Sequence, residues 1–256
     1  MRSIALAFAA AALAAAADMP PMANTGAPLA VQFKCDAEQL DAAGLDCTPD
    51  RPCHVYLELT ALEVVGAKVF VIGNLHTRNA TLSSILLGTS DEGKTWTEPY
   101  DRLPLTALEG IQFIDFEHGW IAGETAQPVP RDPFFLITAD GGKTWKRQFV
   151  FEEDHPGAVE SFQFRSASEG VLVLDTESPG DRHELYQTRT GGAEWTLQTK
   201  SSKPLASQAA RLSDENSDWR IRADARTSTY DIEKRSGDAW QPMVRFVINV
   251  AVCGGQ

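Results

Sequence analysis

One eight-residue stretch occurs twice in nearly the same form. Residues 89–96 read Thr-Ser-Asp-Glu-Gly-Lys-Thr-Trp, and residues 138–145 read Thr-Ala-Asp-Gly-Gly-Lys-Thr-Trp. These are the residue types of a turn joining two strands. Asp91 and Asp140 can accept hydrogen bonds from backbone N–H groups two residues on. Gly93 and Gly142 tolerate positive φ. Trp96 and Trp145 open the next strand with a large ring to bury. Two fainter copies follow. Residues 188–195 have Thr190 in place of the Asp, and residues 233–240 keep only Gly237 and Trp240. The four tryptophans stand at 96, 145, 195 and 240, in steps of 49, 50 and 45. One hairpin signature per period of that size predicts an array of sheet units.

The segments between the turns carry strand patterns. In residues 55–64, Val55, Leu57 and Leu59 alternate with Tyr56, Glu58 and Thr60, the pattern of a half-buried strand. Further strands are predicted at 68–72, 84–88 and 95–98. The second unit has 111–116, 120–122, 134–137 and 145–149. The third has 159–164, 170–174, 184–188 and 195–199. The fourth has 208–212, 219–222, 229–233 and 240 onward. Trp120 and Trp219 read as core residues of second strands. Four short strands per unit and no long helix predict an all-β fold, a β-propeller of about four four-stranded blades.

Residues 113–145 combine Phe113-Ile114-Asp115-Phe116, His118-Gly119-Trp120-Ile121-Ala122-Gly123 and the second strict turn. The turn motif resembles the Asp box of sialidase-type and related β-propellers. The whole phrase resembles the repeat of the photosystem II assembly and stability factor family and its non-photosynthetic bacterial relatives. That resemblance covers about 50 residues well. It implies a propeller that binds other proteins during assembly and has no catalytic centre.

The compartment is read from the ends. Met1-Arg2-Ser3 precedes an apolar, Ala-rich run from Ile4 to Ala17. A basic start, a short apolar region and small residues suit a secretory signal spanning 1–17. The run is short of the ~20 residues needed to span a bilayer, so no membrane span is expected after cleavage. Residues 18–53 form an expected flexible lead-in and a cysteine-rich segment, with one helical turn at 38–43 and a short strand starting at 31–33. The propeller domain is expected over 54–256. The net charge of −12 becomes −13 without the first 17 residues, which disfavours nucleic acid as a partner. Cys35, Cys47, Cys53 and Cys253 make an even count, expected as two disulfides in an exported chain. Their spacing matches no common zinc motif, and neither a metal nor another cofactor is expected. Cys253 has three intrachain partners to choose from. The preferred set is Cys35–Cys253 with Cys47–Cys53 as a local loop, closing the array between its ends. Spacing leaves the other two pairings open.

The turns should lie on one face, leaving polar chemistry to the loops of the other: residues 74–81, 124–132, 177–183 and 152–156. Loops on a rigid scaffold are where binding residues concentrate. The binding candidates are Asn74, His76, Arg78, Arg131, Asp132, His155 and His183. The expected function is a non-catalytic scaffold for an unidentified protein partner. The alternative is a glycan-active hydrolase of sialidase-like type, with Arg78, Arg131, Arg182, Tyr56 and Glu58 available. No nucleophile elbow and no phosphate-cradling glycine loop is present.

Overall fold

The computed structural model describes residues 20–126, 129–176, 178–205, 218–249 and 252–254. The expected signal at 1–17 and the expected strand at 208–212 lie outside them. The elements run β1 (Met22–Ala23), β2 (Leu29–Val31), α1 (Ala37–Ala42), β3 (Cys53–His54), β4 (Tyr56–Val65), β5 (Lys68–His76), β6 (Thr81–Thr89) and β7 (Thr95–Trp96). They continue with β8 (Thr106–Phe113), β9 (Gly119–Ala126), β10 (Pro130–Thr138), β11 (Lys146–Phe149), β12 (Ala158–Phe164), β13 (Gly170–Asp175), β14 (His183–Thr188) and β15 (Thr196–Ser201). The last are β16 (Trp219–Asp224), β17 (Thr229–Ser236), β18 (Ala239–Ile248) and β19 (Val252–Cys253).

The protein is all-β apart from α1, and its antiparallel sheets follow the repeat. The first is β4-β5-β6, extended by a bridge from Gly88 to Thr97. The second is β8 to β11 in order, and the third β12 to β15. The fourth is β16-β17-β18 with β2 parallel on its edge.

The repeated turns connect the third and fourth strands of the units, and their hydrogen bonds explain the motif. The Thr89 hydroxyl accepts the Gly93 N–H at 3.0 Å and donates to Asp91 Oδ1 at 2.8 Å. Asp91 then accepts the Thr95 N–H at 2.9 Å and the Thr95 hydroxyl at 2.7 Å. Thr138, Asp140, Gly142 and Thr144 repeat the set, with the Lys143 N–H added. The aspartates therefore reach three and four residues on, not two as expected, because the threonine takes the nearer glycine N–H. In the third copy the Thr190 hydroxyl accepts the Glu194 N–H at 2.8 Å and bonds the Thr188 hydroxyl at 3.3 Å, a smaller set than the aspartates make. The fourth copy is an ordinary two-residue hairpin with Gly237 at φ 62°.

Three apolar clusters hold neighbouring sheets together. In β5, Phe70 and Ile72 pack toward the second sheet while Val69, Val71 and Leu75 join the other side. In β9 and β10, Ile121, Phe134 and Leu136 face the first sheet, whereas Trp120, Ala122 and Phe135 face the third. Alternate residues of a strand point to opposite faces, so the near-continuous apolar runs of these strands mean burial on both sides. The remaining cluster joins the first sheet to Ile232, Val244 and Phe246 of the fourth. Trp96 is fully buried there, edge-on to Phe246. Trp219 packs against the rim of the same cluster.

Polar contacts repeat on the same period. The first strands of the first three sheets each carry a bulge, centred on Thr60, Glu109 and Glu160. The Asn74 side chain accepts the Leu108 N–H at 2.8 Å, and the Glu124 carboxyl accepts the Val159 N–H at 2.6 Å. Leu108 and Val159 each stand just before a bulge, so one sheet caps the irregularity of the next. Gly73 and Gly123 precede these polar residues. A Cβ at Gly73 would lie 2.1 Å from the Glu58 carbonyl oxygen, and one at Gly123 would lie 2.6 Å from that of Ala107.

The N-terminal segment, expected as a flexible lead-in, supplies strands to two sheets. β1 pairs with β7 and β2 with β18. Asn24 donates to Gly93 O at 2.9 Å in one turn and to Met243 O at 2.7 Å in the fourth sheet. Apolar edge strands need a partner, and Leu29 and Val31 find theirs on β18. The disulfides are Cys35–Cys253 and Cys47–Cys53, and β19 pairs with β3 beside them.

Candidate functional site

In each sheet the repeated turn and the loop between second and third strands lie at opposite strand ends. The expected binding residues lie in or beside those second-to-third loops and the links between sheets. The structure divides them among separate places.

Asn74 is buried and committed to Leu108, as above. Arg131, Asp132 and His155 form a strut between the second sheet and the link that follows it. Asp132 adopts φ 49°, tolerable for an aspartate, and exchanges backbone and side-chain bonds with His155 at 2.8 and 2.9 Å. Arg131 pairs with Asp132 at 2.9 Å and Asp154 at 2.5 Å. The His155 ring lies on Phe151, and its Nε2 is 3.4 Å from Glu184 Oε2 without hydrogen-bond geometry. Glu184 also accepts from Tyr186 at 2.5 Å and Lys200 at 2.6 Å. Burial pushes the Glu184 carboxyl up, but Lys200 and Tyr186 outweigh it and hold it below the usual range. Burial and the same carboxylate raise the Tyr186 phenol. His183 is buried and bonds Glu160 at 2.7 Å. These groups are engaged in holding sheets and links.

His76 and Arg78 stand elsewhere, in a groove where the first and fourth sheets meet. A hollow of about 600 Å³ is lined by His54, Tyr56, Glu58 and His76 on one wall and by Asp224 and Tyr230 on the other, over Val55, Leu57 and Ile248. A neighbouring hollow of about 540 Å³ shares His54 and Tyr56 and carries Arg51, Thr77, Arg78 and Asn79. The residues that build it come from four stretches: 54–58, which runs from β3 beside the disulfides into β4, the end of β5, the turn between β16 and β17, and the end of β18. Ser228 in that turn holds φ 51°, a conformation a non-glycine residue adopts under constraint. His76 Nε2 lies 3.9 Å from Glu58 Oε2, and its ring is tilted toward Tyr56 at 5.8 Å between centroids. Glu109, on the neighbouring strand β8, has its pKa raised by burial of its surroundings and by the charge of Glu58. Burial and Glu58 likewise raise the Tyr230 phenol.

Sequence reasoning named His76 and Arg78 as binding residues but passed over His54, Asp224 and Tyr230. The signal for Tyr230 was its place in the strand expected over 229–233; nothing local marks its approach to Tyr56 and Glu58. Among the described residues, no group of three or more His, Cys, Asp or Glu side chains is placed to hold a metal ion. No described helix is long and apolar enough to cross a membrane.

These features define an all-β, disulfide-bonded protein of repeated sheets, with an open groove where its two ends are tied together. No family model matches the chain, and no curated protein matches it. A solved structure it resembles is described as Bacteroides ovatus Xyloglucan PUL GH43B. The identity is 9% and the TM-score 0.36, over 78% of this chain and 40% of that one. A likeness that distant carries no argument about fold or chemistry.

Proposed function

We propose that the chain is an exported, non-catalytic scaffold of Asp-box β-propeller type, in which each sheet is a blade, and that it binds a protein partner at the groove between its first and last blades. The observation that carries this reading is the groove itself. It is large enough for several side chains, it is open, and its walls come from the two ends of the chain. The carboxylates with the most strongly displaced proton affinities are engaged in structure. Asp91, Asp115 and Asp140 close turns, and Glu124 caps the next sheet's bulge.

A second reading has one specific observation behind it. Burial, and next the charge of Glu58 on the neighbouring strand, raise the Glu109 pKa, and a carboxyl that keeps its proton next to a second carboxyl is what a glycosidase acid needs.

The deciding experiment captures partners from the exported fraction with the disulfide-intact protein and assays aryl glycosides and sialosides in parallel. The scaffold reading predicts a captured protein, lost with Tyr56→Ala and retained at low temperature with Asp91→Ala, and no glycoside turnover. Turnover abolished by Glu58→Gln or Glu109→Gln would replace it with the hydrolase reading.

A further inference from the structure

We propose that the groove between the first and fourth sheets binds a single lysine or arginine side chain of the partner, seated between Glu58 and Asp224 and flanked by Tyr56 and Tyr230. This rests on the scaffold reading above and names the chemistry of its contact.

The charge balance of the groove is the first argument. Among the described residues no lysine or arginine lines the 600 Å³ hollow, while Glu58 and Asp224 do; Arg245, outside the hollow and ion-paired to Asp231, is the cation whose charge bears on Asp224. Five other strand carboxylates are matched by cations. Asp132 faces Arg131, Asp175 faces Arg182, Glu184 faces Lys200, and Asp231 and Glu233 share Arg220, Arg222 and Arg245. Glu58 instead has His76 at 3.9 Å, an imidazole charged only if protonated. The Glu58 charge bears on Glu109 and Tyr230, which are an acid and a phenol. A cation entering here gains what the fold supplies elsewhere from its own arginines.

The lining is the second argument. Two phenol rings beside carboxylates favour an ammonium or guanidinium, which is attracted to aromatic faces as well as to negative charge. The Asp224 carboxyl accepts the Arg226 N–H at 2.9 Å, which ties the far wall to its turn. The net charge of −12 favours approach of a basic segment over long range. The neighbouring hollow bears Arg51 and Arg78, with Arg51 paired to Asp46. A second cation next to the first is therefore disfavoured, and an isolated basic residue fits better than a polybasic run.

The test is an NMR titration of the ¹⁵N-labelled, disulfide-intact protein with acetyl-Gly-Gly-Lys-Gly-Gly-amide. The glutamine analogue is the control ligand. The lysine peptide should shift resonances of residues 54–58, 76 and 223–230, and bind at least tenfold tighter than the glutamine peptide. Glu58→Gln should weaken it at least fivefold, and Tyr230→Leu should weaken it with spectra otherwise native. Glu152→Gln/Glu153→Gln, which removes two exposed charges elsewhere, should leave it unchanged. Equal shifts with both peptides, or shifts spread over the acidic surface and indifferent to Glu58→Gln, would overturn the proposal. A captured partner that occupies the groove without a lysine or arginine overturns this inference and leaves the scaffold reading standing. Lysine-specific binding at the groove with no protein captured supports the site and counts against the scaffold.

Discussion

Asp91 and Asp140 have pKa values lowered to about 2. For Asp91 the Thr95 N–H is the main cause, followed by the hydroxyls of Thr95 and Thr89. For Asp140 burial pulls the other way, but Thr144, Thr138 and Lys143 prevail. A carboxyl depressed on folding stabilises the native state above its unfolded pKa, near 3.8, and that contribution is lost as pH falls toward 2. The double variant Asp91→Asn/Asp140→Asn should therefore lower the urea midpoint at neutral pH and flatten the loss of stability between pH 4 and 2. Glu124 has the opposite sign. Burial raises it to about 8, against the pull of the Val159 N–H and with a push from Glu109. The folded chain keeps a proton there that the unfolded chain has released, so stability falls as pH rises from 4.5 to 8. Glu124→Gln keeps an acceptor for Val159 and removes that loss. At pH 8.5 it should be more stable than the parent, by about 1–3 kcal/mol in urea titration. The turn residues were legible in the sequence because their partners lie within four positions. Glu124 was not, because its partner is Val159, 35 residues away.

The strands were legible where both faces are buried, as in β5 and β9, since their apolar runs are continuous. Strand ends were less so. The second strand of the second unit runs Gly119–Ala126, longer than its apolar core at 120–122, because Glu124 and Thr125 pair in the ladder while the Glu124 carboxyl serves Val159. The bulges at Thr60, Glu109 and Glu160 have no residue signature and emerge only from register. The two-residue β1 was missed, and the short strand expected from 31 begins earlier, at Leu29, because neither has enough residues to show alternation. Asn74→Ala would strand the buried Leu108 N–H and should cost about 1–3 kcal/mol. Gly73→Ala forces a methyl against the Glu58 carbonyl oxygen and should cost about 1–3 kcal/mol, with shifts along β4 that reach the groove. Urea unfolding checks both. A Gly73→Ala protein as stable as its parent would mean the bulge relaxes freely.

The ends of the chain carry the groove. Spacing left three pairings open; the one preferred as a closure of the array, Cys35–Cys253 with Cys47–Cys53, is the one the structure holds. On the chain-entropy model a cross-link spanning 218 residues stabilises by about 5 kcal/mol, with measured values often smaller. Cys35→Ser/Cys253→Ser should lower the thermal midpoint markedly and abolish binding at the groove before the sheets unfold, because β3 and β19 frame its wall. The groove itself was not legible. Its residues come from segments up to about 190 positions apart, and each segment is explained locally as strand, turn or disulfide loop.

Hydrogen–deuterium exchange on the disulfide-intact protein, free and with its captured partner, tests the binding claim most directly. The account predicts added protection at residues 53–58, 76–79 and 223–230, with the turns at 89–96 and 138–145 unchanged. Protection concentrated on those turns, or on residues 129–132 and 155, with the groove exchanging as in the free protein, would contradict it.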